Sequence, residues 1–303
     1  MWNGILNVYK ERGFTSHDVV AKLRGITGQK KIGHTGTLDP EAEGVLPVCL
    51  GKATKVCDVL TDQSKTYETV LLLGKRTDTQ DMTGVCLEEK DVSFLTEEMV
   101  GRAVESFLGD YMQVPPMYSA LKVNGKKLYE LARAGKTVER KPRKVKIYSL
   151  RIQKMELPRV WLEVECSKGT YIRTLCEDIG LLLGTGGCME KLKRTRVGDF
   201  CIKDSMTLAS LQAYRDLGKL QECLLPVDRV FSSYPRLTVN AAQERFLYNG
   251  NRIPDDGNSG AVKDGQIVRA YDHKGNFIAL YRYEQANRSY RNEKMFFSLS
   301  DIQ

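Results

Sequence analysis

Gly33-His34-Thr35-Gly36-Thr37-Leu38-Asp39-Pro40-Glu41-Ala42-Glu43-Gly44-Val45-Leu46-Pro47 is the densest chemistry-bearing stretch of the chain. Three glycines and two prolines in fifteen residues describe a tightly folded loop rather than a helix, and binding and catalytic groups concentrate on such loops. Pro40 restricts Asp39 to an extended or turn conformation, which holds its carboxylate outward. Residue types alone favour a plainer reading, in which Asp39-Pro40 starts a turn and His34 donates to a backbone carbonyl. The surrounding pattern has to decide between them.

Upstream, Gly4 to Tyr9 reads as extended. A helix follows from Ser16 on Val19, Val20, Leu23 and Ile26, with Ser16 as cap and Gly28 as stop. Downstream come a helix on Ala53, Val56, Cys57 and Leu60, a buried strand at 66–73 and an amphipathic helix at 96–108. Strands at 147–155 and 160–167 flank a Leu157-Pro158-Arg159 turn, and a helix from Thr170 runs to Gly184. Strands mixed irregularly with helices predict an α+β mixed sheet with flanking helices, not a doubly wound one.

Composition shifts near residue 230. A short helix at 241–248, a Gly- and Asp-rich loop at 249–260, and strands at 266–271, 277–283 and 294–299 predict a small β-rich, barrel-like module. The Asp272-His273-Lys274-Gly275 turn makes a hairpin of the first two strands. The chain of 303 residues thus divides into a large domain at 1–232 and a small one at 233–303.

Charge points to a polyanion. Lys plus Arg total 46 against 38 Asp plus Glu, a net +8. Nine basic residues and only two acidic ones fall between Lys126 and Lys146, a local +7, which favours phosphate binding over general solubility. From Val230 to Gln303 the balance is nearly neutral, 10 basic to 8 acidic.

Eight cysteines at irregular spacing, with no C-x-x-C pair, remove support for zinc ribbons and thioredoxin-like sites. The start has no secretory pattern and no apolar stretch reaches membrane-spanning length, so the expected compartment is the cytoplasm, with no membrane partner. G-x-G-x-x-G, G-x-x-x-x-G-K-[ST] and H-E-x-x-H are all absent, and His17, His34 and His273 are dispersed; neither cofactor nor metal is expected.

Residues Gly33 to Pro47, followed by Leu50-Gly51-Lys52-Ala53-Thr54-Lys55, resemble the active-site motif of the TruB family of tRNA pseudouridine-55 synthases. Further matches occur in order: Gly13-Phe14-Thr15-Ser16, Lys65-Thr66-Tyr67, Gln113 to Ala120, Leu128-Tyr129-Glu130, Ser167 to Arg173, and Leu192-Lys193-Arg194. They span most of residues 4 to 200.

The resemblance implies a pseudouridine synthase fold followed by a PUA-like RNA-binding module. It also implies isomerisation of the T-loop uridine at position 55 of tRNA, on a nucleotide flipped out of its stack. Asp39 takes the place of the catalytic aspartate, a group suited to attack the ribose or the base and then leave. Tyr67 matches the active-site tyrosine and Arg173 the arginine that pairs with the aspartate. His34 matches a residue beside the displaced nucleotide and Leu192 an apolar contact to the base; Lys193, Arg194 and Arg196 are placed to reach phosphates. Lys126, Lys127 and Arg143 belong to a basic insertion, about 111–146, that folds over the T arm. With Gly125 and Gly135 in it, this segment is expected to be mobile without RNA. The expected partner is tRNA, through its T stem-loop, and the expected state is a monomer.

One departure stands out. The family commonly has Lys-Pro before the first glycine, whereas this chain has Lys10-Glu11-Arg12-Gly13, keeping Lys10 near the site entrance without the fixed φ of proline. Two other readings compete: an RNA-binding or tRNA-folding protein that needs no catalysis, and a pseudouridine synthase acting on another RNA class.

Overall fold

A computed structural model describes residues 1–123, 125–257 and 262–297. Strand β1 (Gly4–Lys10) leads to helix α1 (Ser16–Thr27), strands β2 (Ile32–His34) and β3 (Glu43–Leu50), and α2 (Cys57–Thr61). Next come β4 (Lys65–Leu73), the hairpin β5 (Lys75–Thr77) and β6 (Cys86–Glu89), α3 (Glu97–Glu105) and β7 (Gly109–Gln113). A second hairpin, β8 (Lys122–Val123) and β9 (Lys126–Lys127), opens into α4 (Leu128–Arg133). The long strands β10 (Arg143–Glu156) and β11 (Arg159–Cys166), helix α5 (Ile172–Leu182), β12 (Gly187–Val197), β13 (Phe200–Cys201) and α6 (Leu208–Asp216) complete the first part.

Among the described residues, nine of these strands form one mixed sheet, ordered β1-β3-β12-β4-β11-β10-β7, with β2 and β13 attached to β3 and β12. The predicted α+β architecture is therefore present. One core packs Tyr67 and Leu71 of β4 and Val160 and Leu162 of β11 under Val100 and Val104 of α3 and Leu175 and Ile179 of α5. Another packs Val19 and Leu23 of α1 and Leu211 of α6 against Leu6, Val8, Leu46 and Val48. Truncating any of these leucines to alanine would cost about 2–5 kcal/mol.

The start of α1 differs from the expectation in a way that matters for the site. Thr15, not Ser16, is the cap: its hydroxyl accepts the Asp18 N–H at 3.0 Å while the Asp18 carboxylate accepts the Thr15 N–H at 2.8 Å. That leaves the buried Ser16 hydroxyl to accept the Leu38 N–H at 2.9 Å, one residue before Asp39. Gly28, at φ 66°, ends the helix as expected.

The second sheet is ordered β14-β16-β17-β18-β15 and is built from β14 (Arg236–Thr238), β15 (Ile253–Pro254), β16 (Ile267–Tyr271), β17 (Phe277–Glu284) and β18 (Ser289–Met295), with helix α7 (Glu244–Tyr248) beside it. The turn at 272–275 joins β16 to β17 as predicted. The last strand lies earlier than the predicted 294–299: Arg291, Glu293 and Lys294 interrupt its apolar pattern, yet Tyr290 points inward and is buried. Residues 298–299 of that expectation lie outside the described residues. The loop predicted at 249–260 contains the short strand β15, and its last three residues are also outside them. Phe231, Phe277 and Phe296 form an aromatic cluster that joins one core with Val45 and Phe200 of the large sheet, with Val56 just before α2 and with Leu60 in it. The composition change near 230 marks a change of sheet, while the core runs through it.

Residues 109–113 and 143–147 are paired sheet strands, so the segment that leaves the sheet runs from 114 to 142. Leu128, buried at 1% exposure, anchors it.

Candidate active site

Asp39 lies on the loop between β2 and β3, and three contacts fix that loop. Ser16 holds Leu38, as above. The Lys10 ammonium donates to the carbonyls of Pro40, Ala42 and Glu11. Arg194 donates from Nε to the Val45 carbonyl at 2.7 Å and from a terminal nitrogen to the Gly36 carbonyl at 3.3 Å. Close approach of β3 to β12 brings Arg194 there, and Gly44 makes it possible: at φ 110°, an added Cβ would lie 2.2 Å from the Arg194 carbonyl oxygen.

Arg173, in the first turn of α5, faces the loop. Its Nε lies 3.0 Å from Asp39 Oδ2, and a terminal nitrogen donates to Oδ1 at 3.2 Å. The guanidinium also donates to the Tyr118 carbonyl at 2.8 Å and the Thr79 carbonyl at 3.1 Å, and stands 3.8 Å from Asp81. Only 6% of the Arg173 side chain is exposed, against 37% of Asp39, so the arginine is locked and the carboxylate reachable. Such two-point pairing fixes orientation as well as charge. Withdrawal from bulk water pushes the Asp39 carboxyl above its ordinary value; Arg173 opposes this, Asp81 adds to it and Lys10 opposes it.

The carboxylate opens into a cavity of about 450 Å³ on the sheet surface. Leu192 and Lys193 of β12 share its wall with Val70, Met82, Met189 and Asp81. That volume is in the range of small-ligand sites, about 300–1,000 Å³. Lys193 makes a loose ion pair with Glu43 at 3.6 Å. Tyr67 is not on the cavity wall: it is 8% exposed and belongs to the core cluster that includes Leu38 and Ala42. His34 packs edge-on against His17 at 5.3 Å, and its Nδ1 is buried without a partner. Burial lowers its pKa, so the ring is neutral near pH 7.

Two residues expected at the substrate are buried. Lys10 is fully buried and spends its donors on three loop carbonyls; burial, partly opposed by Asp39, lowers it to about 8. Arg194 is 1% exposed and donates to the Gly36 and Val45 carbonyls. Both hold the loop. Arg196 remains partly exposed, paired with Glu165 at 2.7 Å.

The basic insertion has its own hairpin and helix. Lys126 is exposed, as is Arg143 at the start of β10. Lys127 donates to the Tyr129 hydroxyl at 3.2 Å, and both it and Arg133 lie over the Tyr129 ring. Arg140 is tied to the Pro115 carbonyl at 3.1 Å. Among the described residues no group of three or more His, Cys, Asp and Glu is arranged to hold a metal ion, and no helix is long and apolar enough to cross a membrane.

Sequence reasoning missed Asp81, Thr79 and the second role of Ser16. The signal for the first two was present in Thr77-Asp78-Thr79-Gln80-Asp81-Met82-Thr83-Gly84, a turn-forming run as dense as the Asp39 loop. What it lacked was any hint that this run folds back onto Arg173.

A family model described as TruB family pseudouridylate synthase (N terminal domain) matches residues 24–172, and one described as tRNA pseudouridylate synthase B C-terminal domain matches 173–232. The chain is 51% identical over 306 aligned positions to tRNA pseudouridine synthase B of Lachnoclostridium phytofermentans, covering 97% of this chain and 99% of that one. It is 44% identical to the same-named protein of Clostridium tetani, covering 92% and 94%. Among solved structures, a Cbf5-Nop10-Gar1 complex superimposes with a TM-score of 0.73 at 27% identity, covering 98% of this chain and 86% of that one. An H/ACA RNP bound to a substrate RNA containing 2'-deoxyuridine gives 0.73 at 25%, covering 97% and 85%.

Proposed function

The chain belongs to the TruB family, enzymes that isomerise uridine in tRNA to pseudouridine, and from that premise we propose that its target is uridine 55 of the T loop and that Asp39 is the nucleophile. The observation that supports this best is the two-point Asp39–Arg173 pair opening onto a cavity of about 450 Å³. In the isomerisation the bond from ribose C1′ to N1 breaks and one from C1′ to C5 forms; C5 gives up a proton and N1 gains one, so nothing is added or lost. Attack at the ribose and attack at the base both need an ionised carboxylate, which Arg173 favours. The detached uracil must stay enclosed until it rejoins the sugar. Leu192, Met189 and Val70 supply apolar wall for that, with Tyr67 in the core.

A target inside a folded loop must be flipped out, and the T stem-loop is then held by shape and phosphate contact. Lys193 at the rim and Lys126, Lys127 and Arg143 on the insertion are placed for this, with His34 beside the displaced nucleotide. The β14–β18 module acts as a PUA-like support for the rest of the tRNA. The enzyme works as a monomer in the cytoplasm, without a cofactor. Identity of 44–51% to relatives named for tRNA, against 25–27% to the Cbf5-Nop10-Gar1 complex and the H/ACA RNP, favours tRNA over another RNA class.

The test incubates a T-arm stem-loop and full tRNA with the wild type and Asp39→Asn. Conversion of uridine 55 by the wild type alone is expected, with tRNA binding kept in both. Equal conversion by both proteins would remove Asp39 as nucleophile; tight binding without any conversion would make this an RNA-binding protein.

A further inference from the structure

Gln80 has a left-handed backbone, φ 64°, one of two non-glycine residues with positive φ among those described. Bulky residues rarely adopt this conformation, and it persists only where surrounding contacts hold it. Both ends of the Gln80 amide are engaged by α5. The Thr174 hydroxyl donates to Oε1 at 2.8 Å, and Nε2 donates to the Glu177 carboxylate. The main chain is held as well: the Gln80 carbonyl accepts the Met189 N–H at 3.0 Å, and its N–H donates to the Thr77 carbonyl at 3.2 Å.

Gln80 therefore clamps its loop to the same helix turn that bears Arg173, whose guanidinium donates to the Thr79 carbonyl on one side of Gln80 and stands 3.8 Å from the Asp81 carboxylate on the other. We propose that Gln80, through Thr174 and Glu177, is a positioning residue that sets the angle at which Arg173 meets Asp39. This rests on the reading of Asp39 and Arg173 as the reacting pair. Glu177 is itself held by Arg76 at 3.5 Å, so the clamp is anchored at both ends. If the clamp slackens, Arg173 keeps its charge but loses alignment, and Asp39, pushed upward by burial, loses part of the opposing attraction.

The experiment measures kcat, KM for tRNA, the pH profile of kcat and thermal melting for Gln80→Gly, Gln80→Glu, and the exchanged pair Gln80→Glu with Glu177→Gln. Gln80→Gly tolerates the left-handed backbone but removes the amide. Gln80→Glu opposes two carboxylates, and the exchange restores one amide against one carboxylate. Expected are about 10-fold losses in kcat for both single variants with KM within about twofold. The acid limb should move to higher pH, and the exchanged pair should recover to within about threefold of wild type. An unchanged kcat and acid limb in Gln80→Gly, or a loss confined to KM and melting temperature, would overturn the proposal. Should Gln80→Gly fail to fold, absence of recovery in the exchanged pair overturns it instead. Asp39→Asn, assayed alongside, separates the two readings: an active Asp39→Asn defeats the nucleophile assignment, whereas an inactive one with Gln80 variants like wild type defeats only the clamp.

Discussion

Arg173 and Asp39, 134 positions apart in the chain, meet in a two-point ion pair at 3.0 and 3.2 Å, with the arginine buried and the aspartate open to the cavity. The pairing sets how the site responds to pH. Burial raises the Asp39 pKa and Arg173 opposes the rise. Activity should therefore fall as pH drops through a value above the ordinary carboxylate range. Lysine cannot reproduce the two-point geometry. Arg173→Lys should lower kcat on the order of 10²–10³-fold and move the acid limb to still higher pH. A kcat profile from pH 4 to 9 checks both, and an acid limb left in place would contradict the pairing.

Lys10→Met should leave three loop carbonyls without their donor, at a cost of about 2–4 kcal/mol in urea unfolding. The pH dependence has a definite sign. A lysine lowered from 10.5 to about 8 by burial binds its proton less tightly in the folded state, so between those values the unfolded chain holds more protons and stability rises with pH. The gap between wild type and Lys10→Met should widen as pH rises from about 8 toward 10.5. A gap that narrows over that interval would mean Lys10 is not buried as described.

Gly44→Ala places a methyl 2.2 Å from the Arg194 carbonyl oxygen, at a backbone angle that L-residues avoid. Parting β3 from β12 should cost about 3 kcal/mol or more. Denaturant titration measures this, and a loss under about 1 kcal/mol would show that the two strands can separate freely.

Neutralising Lys126, Lys127, Arg140 and Arg143 together should weaken tRNA binding and reduce the log–log salt slope by roughly 2 to 3. Arg140 is tied to Pro115 and Lys127 to Tyr129, so fewer than four phosphate contacts are expected. Binding measured from 50 to 300 mM salt gives the slope; an unchanged slope takes the segment out of the interface.

Local pattern made much of the molecule legible. The Val19, Leu23, Ile26 spacing and Gly28 gave α1, a buried run gave β4, alternation gave β10 and β11, and the Gly/Pro density of residues 33–47 marked the region of the Asp39 loop, although its two ends, 33–34 and 43–47, are strand. These follow from interactions within a few residues, which sequence order records directly. The strand at 289–295 was hidden because its outward residues are charged and only its inward ones carry the signal.

The residues that were misjudged all depend on partners far away in sequence. Lys10 and Arg194 were placed at the substrate because a basic side chain near a site has no local mark of burial; the carbonyls of Gly36, Pro40, Ala42 and Val45 that they hold come from the β2–β3 loop and the start of β3. Asp81 went unnoticed because its loop is brought to Arg173 only when α5 packs over β4 and β12. Thus the sequence by itself determined many of the elements, the family and the aspartate of its motif, since these are written in local composition and order. Tertiary structure alone decided which cations are free to meet RNA and which are consumed in holding the loop, because a charge's role is set by what surrounds it.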